Sequence, residues 1–324
     1  RPFRLLRTAP PRITPDRDEV RSAPELLRAA RRPMLMAGTS VKWSRAAAEM
    51  NRFIRETHIP SSTIGMGRGT LPPDWPESLN RARRHAHEKI DCILLAGTLL
   101  DFRMRFGASI PADAKIVQLD MDATLIGQNR QADVPLVGNL ACSFEMLLEE
   151  MKNQGVQLDF SAWRDELRAI EVKAEKKEEA ALHSDEVPID PQRMCLEVRE
   201  WLETLGDPIV IGDGGDIVAT AAKILPVRSE GSWMDPGPLG TLGVGMPFAL
   251  AGQLSHPGRP VVIIYGDGSF GLNGFEYDTA VRFGLPIVGV VGNDAAWGQM
   301  MRPQAGMYGW DRAGPTLLRQ TRYD

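Results

Sequence analysis

Acidic and amide side chains follow two apolar, strand-like runs late in the chain. Asp267 comes directly after Gly266 and the run 261–265, and Asn293 and Asp294 follow the run 287–291. The segment between the runs has helical spacing, so the pattern predicts a strand, a helix and a second, parallel strand. Both turns then lie at one edge of one sheet. Since Mg²⁺ prefers oxygen ligands and shares its shell with phosphates, the pattern predicts a cation that holds a diphosphate.

Glycines flank the first acid of this pattern. Gly266 and Gly268 surround Asp267 and allow phosphate oxygens to approach the backbone N–H groups. For the Gly-Asp-Gly motif alone, an ordinary strand-to-helix turn with a solvated carboxylate is the alternative. Asn273 followed by Glu276 predicts a capping box at the start of the next helix. We expect one face of that helix to carry Phe275, Thr279, Ala280 and Phe283.

Another glycine-rich turn follows the short apolar run 209–211. Gly214, Gly215 and Asp216 form a second place where phosphate could meet the start of a helix. Asp216 could equally be only a helix cap.

Composition restricts the class of protein. The 324 residues are 43% hydrophobic and 25% charged, which is typical of a folded protein with two α/β domains. A net charge of −4 gives no electrostatic case for nucleic acid, and no apolar run reaches membrane length. Cys92, Cys142 and Cys195 lie far apart, so we expect reduced thiols and a cytoplasmic location.

The chain divides into four segments. Residues 1–20 are Arg- and Pro-rich and read as a linker, and residues 21–152 alternate strands and helices as a central α/β domain. Residues 153–190 form a charged helical connection whose centre we expect to be solvated, and residues 191–324 form a second α/β domain. The start and the unclosed end together predict a fragment of a longer protein.

The sequences GDGSF and NDAAWGQ, at 266–270 and 293–299, resemble the thiamine diphosphate signature of a known superfamily. Its members include acetolactate synthase, oxalyl-CoA decarboxylase and 2-hydroxyacyl-CoA lyase, and the last is the nearest in pattern. The resemblance implies two doubly wound parallel-sheet domains, a central one and a diphosphate-binding one. It also implies an N-terminal pyrimidine-binding domain outside this chain, which would supply the activating Glu, so no catalytic residue is assigned.

The same resemblance implies the ligands. Mg²⁺ would be held by Asp267, Asp294 and the backbone carbonyl of Ala296, with Asn293 as the alternative to Asp294. Most of the superfamily has Asn where this chain has Asp294, and a second carboxylate would bind Mg²⁺ more tightly but repel the diphosphate more. The cofactor contacts implied are those of Gly214, Gly215, Asp216, Gly240, Leu242, Gly268, Ser269, Trp297 and Gly298.

Three side chains would form the wall of the active site: Leu242, Trp297 and Gln299. By the resemblance, the Gly240 carbonyl accepts a hydrogen bond from the aminopyrimidine and Leu242 forces thiamine into a bent conformation. Trp297 could instead only pack over the diphosphate.

In the superfamily the central domain carries FAD, ADP or no ligand. ADP or another nucleotide is therefore a possible second cofactor, and packing alone is equally open. Arg103 and Arg105 beside Asp101 could meet phosphates or form a salt-bridged surface.

The activity implied is the reversible cleavage of a 2-hydroxyacyl-CoA to formyl-CoA and an aldehyde or ketone. The alternatives are a carboligase of 2-oxo acids like acetolactate synthase, and a decarboxylase of the oxalyl-CoA type. An inactive nucleotide-binding scaffold is the alternative from another class. We expect acyl-CoA and small carbonyl compounds as partners, a homodimer or homotetramer, and no activity from the fragment alone.

Overall fold

The computed structural model describes residues 12–323, which form two units. One unit comprises Arg1–Ser61 and His85–Arg164, and the other comprises Ser62–Arg84 and Asp165–Asp324. The second unit is therefore built from two separate stretches of chain. None of the helices in the described residues combines the length and the apolar character needed to cross a membrane.

The first half of the chain alternates helices with short strands. Its elements are α1 (Arg17–Ala29), β1 (Pro33–Ala37), α2 (Thr39–Ser44), α3 (Ala47–Thr57), β2 (Ser61–Thr63), α4 (Arg83–His87), β3 (Cys92–Ala96), β4 (Lys115–Asp120), β5 (Val134–Val137) and α5 (Leu140–Asn153).

These strands form a five-stranded sheet in the order β2-β1-β3-β4-β5. The pairs β1–β3, β3–β4 and β4–β5 are parallel. Every residue of β1 and of β3 is buried, because helices cover both faces and a continuous apolar run satisfies both. The side chains of Asp16 and Asn139 cap α1 and α5 and so fix where these helices begin.

The second half repeats the alternation. Its elements are α6 (Ser161–Leu182), α7 (Pro191–Thr204), β6 (Ile209–Asp213), α8 (Asp216–Ile224), β7 (Trp233–Met234), α9 (Gly245–Ser255), β8 (Val261–Gly266), α10 (Asp267–Asn273), α11 (Glu276–Arg282), β9 (Ile287–Gly292) and α12 (Gly298–Tyr308).

A four-stranded parallel sheet, in the order β7-β6-β8-β9, is the centre of the second unit. Alternate residues of β6 and β8 enter two different apolar clusters. Val210 and Val262 pack with Trp233 in one cluster, while Ile211 and Ile263 pack in the other. The sheet is covered on both faces, as the doubly wound class requires.

Three sequence expectations need correction. The predicted linker 1–20 ends too late, because Asp16 caps a helix that begins at Arg17, and residues 1–11 lie outside the described part. The capping box is wrong: Asn273 ends α10, and α11 begins at Glu276 without a side-chain cap. The connecting helix forms as expected, yet Glu171 at its centre is 2% exposed rather than solvated.

Candidate functional site

Three strands of the second sheet end at the same level. In the parallel register Asp213 lies opposite Tyr265, and Gly266 lies opposite Gly292. The turns that follow β6, β8 and β9 therefore open at one edge, as the strand–helix–strand pattern predicts.

Asp267, the acid of the Gly-Asp-Gly turn, is deeply buried, with 3% of its surface exposed. Its Oδ1 accepts a hydrogen bond of 2.9 Å from the backbone N–H of Gly268. Its Oδ2 is buried, and no donor among the described residues reaches it. A buried carboxylate oxygen without a partner is costly. A divalent cation at Oδ2 would remove that cost, so this residue fits a metal ligand.

Asp294 faces the same place from the end of β9. Burial raises the pKa of its carboxyl, and the charge of Asp267 raises it further, with a smaller contribution from Asp216. Its Oδ1 also accepts a hydrogen bond of 3.2 Å from the N–H of Ala296. Asp267, Asp294 and Asp216 thus bring acidic charge together at this edge of the sheet, which favours a cation.

Asn293 is oriented differently. Its Oδ1 accepts a hydrogen bond of 3.1 Å from the N–H of Ala295, and its Nδ2 donates one of 2.7 Å to the carbonyl of Thr321. Both ends of the amide are thus committed to the backbone. Of the two candidates in this turn, Asp294 is the one whose charge reaches Asp267.

The third predicted ligand, the Ala296 carbonyl, lies in a short antiparallel bridge with Leu317. On either side of it the N–H of Trp297 donates to Thr316 over 2.8 Å and the N–H of Leu318 donates to Ala295 over 2.6 Å. No cluster of three or more His, Cys, Asp or Glu suited to a metal occurs within residues 12–323. The predicted set differs in kind, because it combines two carboxylates with one backbone oxygen.

Asp216 and Gly298 bring the other turns into the same cluster. A Cβ on Gly298 would lie 2.6 Å from Asp294 Oδ2 and 3.2 Å from Asp216 Oδ2, so only glycine fits between these two acids. Asp216 is also ion-paired with Arg302 of α12. Of the two roles left open for Asp216, a cofactor contact is favoured over a helix cap, because its carboxylate lies beside Gly298, next to Asp294.

Glycine also permits close approach at the remaining predicted contacts. A Cβ on Gly268 would lie 2.6 Å from the ring of Trp297, and one on Gly215 would lie 2.5 Å from Gln299 Oε1. A Cβ on Gly214 would lie 2.7 Å from the backbone nitrogen of Gly266. Ser269, in the same turn as Gly268, is buried.

Gly240 and Leu242 lie in the segment that leads into α9. Gly240 has a φ of 63°, a left-handed conformation that favours glycine, and it ends the short 3₁₀ helix Gly237–Leu239. Leu242 is half-buried. The carbonyl of Gly243 accepts a hydrogen bond from Asn273, which connects this segment to the end of α10.

Two residues of this neighbourhood were absent from the sequence prediction. Asp213 is fully buried at the end of β6 and accepts hydrogen bonds from the segment of Gly240 and Leu242. Arg302 lies on the exposed part of α12 and pairs with Asp216. The Gly-Asp-Gly-Gly-Asp motif could have indicated Asp213, but no local signal indicates Arg302.

In the first unit Arg103 forms the salt-bridged alternative with Asp101. Arg103 Nη2 lies 2.6 Å from Asp101 Oδ2, and Arg103 Nε lies 3.1 Å from Asp101 Oδ1. The guanidinium of Arg103 is therefore occupied by the neighbouring carboxylate.

Two sequence models of one family match this chain, one in its first half and the other across the candidate site. Residues 20–147 match the central domain of thiamine pyrophosphate enzymes, and residues 213–323 match their C-terminal TPP-binding domain. The chain belongs to the thiamine pyrophosphate enzyme family, whose cofactor is the thiamine diphosphate expected above.

Its relatives within that family fall into two groups. The chain is 35% identical over 311 residues to a probable acetolactate synthase of Mycobacterium bovis, covering 96% of this chain and 55% of the relative. It is 34% identical over 320 residues to 2-hydroxyacyl-CoA lyase 2 of Caenorhabditis elegans, covering 96% and 49%. The human 2-hydroxyacyl-CoA lyase 2 is 34% identical over 298 residues, covering 88% and 45%. The chain thus spans about half the length of the curated relatives it matches.

Proposed function

We propose that the protein containing this chain is a thiamine-diphosphate-dependent carbon–carbon lyase. Its reaction would be the reversible cleavage of a 2-hydroxyacyl-CoA to formyl-CoA and an aldehyde or ketone. The observation that carries the cofactor assignment is the buried, unpartnered Oδ2 of Asp267 beside the carboxylate of Asp294. The similarity to 2-hydroxyacyl-CoA lyase 2, which extends over 88–96% of the chain, supports the substrate class.

Three groups of this chain would hold the metal. Asp267 and Asp294 would supply carboxylate oxygens and Ala296 its carbonyl. Asn293 is the alternative to Asp294, but both ends of its amide already form hydrogen bonds with the backbone. Mg²⁺ at this point would satisfy the buried oxygen of Asp267 and compensate the two negative charges. The metal also lets a diphosphate approach an edge that is otherwise acidic.

Bound thiamine diphosphate supplies the carbon nucleophile that adds to carbonyl groups, and the protein supplies placement and electrostatics. Gly268 and Ser269 would present the backbone of the diphosphate turn, while the missing side chains of Gly214, Gly215 and Gly298 let the turns of the site pack closely against one another. Gly240 and Leu242 would hold and bend the ring system. Leu242, Trp297 and Gln299 would form the wall against the substrate. We assign the Glu that activates the aminopyrimidine to a segment outside residues 1–324.

A carboligase of 2-oxo acids is the second candidate. It is supported by the 35% identity to a probable acetolactate synthase over 96% of the chain. The two candidates share the cofactor site and differ in the substrate, so they separate by product.

The experiment uses the purified full-length protein with Mg²⁺ and thiamine diphosphate. Release of formyl-CoA from a 2-hydroxyacyl-CoA supports the lyase, and formation of acetolactate from pyruvate supports the carboligase. The cofactor assignment is tested separately, because saturating thiamine diphosphate with Mg²⁺ should raise the melting temperature. If the melting temperature does not move and neither product forms, the proposed function is wrong.

We further propose a homodimer or homotetramer in the cytoplasm, with acyl-CoA and small carbonyl compounds as its ligands. Large apolar side chains on α10, on β9 and at both ends of α11 are exposed, which supports an interface in this region: Leu272, Phe275, Phe283 and Val288. The three cysteines are free and buried, in keeping with a reducing compartment. Light scattering on the full-length protein measures the oligomeric state directly.

A further inference from the structure

Asp213 lies where three parts of the candidate site meet. It is the last residue of β6, and none of its surface is exposed. Its Oδ1 accepts a hydrogen bond of 3.0 Å from the N–H of Gly243, and its Oδ2 accepts one of 2.7 Å from the N–H of Gly245. The hydroxyl of Ser269 and the N–H of Val244 lie beside this carboxylate and lower its pKa, against the larger effect of burial. Each oxygen of the carboxylate is therefore used within the protein.

The segment that Asp213 holds has no cap of its own. α9 begins at Gly245, and its N-cap residue, Val244, offers no side-chain hydrogen bond. The buried carboxylate takes over that task and gains from the positive end of the helix dipole. Burial raises the pKa of Asp213, whereas the N–H groups of Gly245 and Gly243 lower it. These contacts explain how an acid is tolerated in the core of the unit.

The contacts of Asp213 also connect the segment proposed to bind the thiamine ring with the turn proposed to bind the diphosphate. Gly243 and Gly245 adjoin Leu242, which is proposed to lie against the thiamine ring, whereas Ser269 belongs to the diphosphate turn. We propose that Asp213 is a positioning residue that fixes the ring-binding segment relative to the diphosphate-binding turn. This inference rests on the proposed cofactor site, and it assigns to Asp213 no contact with the metal, because a backbone N–H group already bonds to each of its oxygens.

A role that only stabilised the fold would weaken every ligand alike. Thiamine diphosphate spans both segments, whereas inorganic pyrophosphate with Mg²⁺ uses only the diphosphate turn. If Asp213 sets the relation between the segments, its loss must weaken thiamine diphosphate much more than pyrophosphate. The ratio of the two affinities therefore separates positioning from plain stabilisation.

The test is Asp213→Asn in the full-length protein, with binding measured by calorimetry. Asn keeps the shape but turns an NH₂ group toward one of the two glycine N–H groups, so that hydrogen bond is lost. We expect the Kd of thiamine diphosphate with Mg²⁺ to rise by about tenfold or more, on the scale of one charge-assisted hydrogen bond, while that of pyrophosphate rises less than about threefold. In turnover, kcat should fall more than KM rises.

Asp120→Asn is the matched control. Asp120 is likewise a buried acid, 2% exposed, at the end of a parallel strand, and it accepts hydrogen bonds from Ser40 and from the N–H of Asp122. It lies in the first unit, so its substitution should change the melting temperature and leave both affinities unchanged.

A second variant decides the case in which Asp213→Asn does not fold. Asn273→Ala removes the side-chain hydrogen bond to the Gly243 carbonyl from a half-buried position, and it should change the affinity ratio in the same direction. Equal weakening of both ligands, or no change in either, would overturn the positioning role. If the unsubstituted protein binds no thiamine diphosphate, the proposed function fails instead.

Discussion

At the scale of single residues, the two acids of the candidate metal site have unequal surroundings. Asp267 is buried and has one unpartnered oxygen, while Asp294 is held by the N–H of Ala296 and carries a raised pKa. Neighbouring charges of one sign are stabilised only by an opposite charge. The demand for a cation therefore comes chiefly from Asp267, and Asp294 strengthens it.

Asp267→Asn should abolish binding of thiamine diphosphate in the presence of Mg²⁺, because it removes the charge that draws the cation into the site. We expect the affinity to fall by about a hundredfold or more, because the loss of a metal ligand should cost more than the loss of a residue that only orients a ligand. Calorimetry on the full-length protein measures it.

Asp278→Asn on α11 is the control for that substitution. Its carboxylate is exposed and pairs with Arg282 four residues later, so the cofactor affinity should not change. Unchanged binding in Asp267→Asn would remove this residue from the metal site.

Gly268→Ala should displace Trp297, because the added methyl group would lie 2.6 Å from the indole ring. A lower affinity for thiamine diphosphate and a shifted tryptophan fluorescence spectrum are expected. Gly271→Ala is matched to it, since it lies in the same helix and a methyl group there meets nothing within 4 Å. That change should stabilise the protein by about 0.5–1 kcal/mol. Equal behaviour of the two variants would contradict close packing at Gly268.

At the scale of elements, α6 is anchored by its buried acid. Glu171 accepts hydrogen bonds of 3.1 Å and 2.6 Å from the N–H groups of Arg81 and Ala82, and the guanidinium of Arg81 lies 3.7 Å away. Glu178 of the same helix bonds to Arg81 Nε over 2.9 Å. The segment before α4 is thereby attached to α6 within the second unit.

Glu171→Ala should lower the free energy of unfolding by about 3 kcal/mol, since it leaves two backbone donors and part of a buried charge without an acceptor. Glu179→Ala removes an exposed acid from the same helix and should cost less than about 0.5 kcal/mol. Urea unfolding of both variants gives the comparison. A small cost for Glu171→Ala would mean that α6 is held by its apolar contacts alone.

The strands could be predicted from the sequence because a buried parallel strand reads as a continuous apolar run. The fold class is confirmed, and so is the family. Helix faces were less predictable. Phe275 is 95% exposed and Phe283 is exposed as well, so of the predicted apolar face only Ala280 is buried. With seven residues, about two turns, α11 is too short for its residue pattern to fix which side meets the sheet.

Long-range contacts account for the other errors. Asn273 looks like a cap, but its amide bonds to Gly243, 30 residues earlier. Glu171 looks solvated, but it meets Arg81, 90 residues earlier. The meeting of Asp267 with Asp294 was predictable because parallel register dictates it. The roles of Asp213 and Arg302 depend on loop paths that no periodicity encodes.

At the scale of the whole molecule, buried thiol and phenol groups with raised pKa values limit stability at alkaline pH. Burial raises the pKa of Cys92 and of Cys195 from 9.0 to about 12, and that of Tyr277 from 10.0 to about 12. In the unfolded chain these groups ionise earlier, so unfolding releases protons above pH 9. The stabilisation is complete below pH 9 and is lost as the pH rises toward 12.

The urea midpoint should therefore fall steadily between pH 9 and pH 11, and stay level with respect to these groups between pH 7 and pH 8. Cys92→Ala should flatten the alkaline slope by removing one of the groups whose pKa burial raises, whatever its effect on absolute stability. An unchanged slope in that variant would show that the Cys92 thiol ionises equally in both states.

The segment 62–84 has a consequence for how such chains can be exchanged in evolution. It falls inside the central-domain match at residues 20–147, yet it packs with the unit that carries the candidate site, through Arg81 and Glu171. A chimaera joined between residue 147 and the start of α6 would pair this segment with a foreign α6. Such a junction should be poorly tolerated unless Arg81 is transferred together with Glu171 and Glu178. The part of the protein that must be inherited as one piece is therefore not one continuous stretch of the gene.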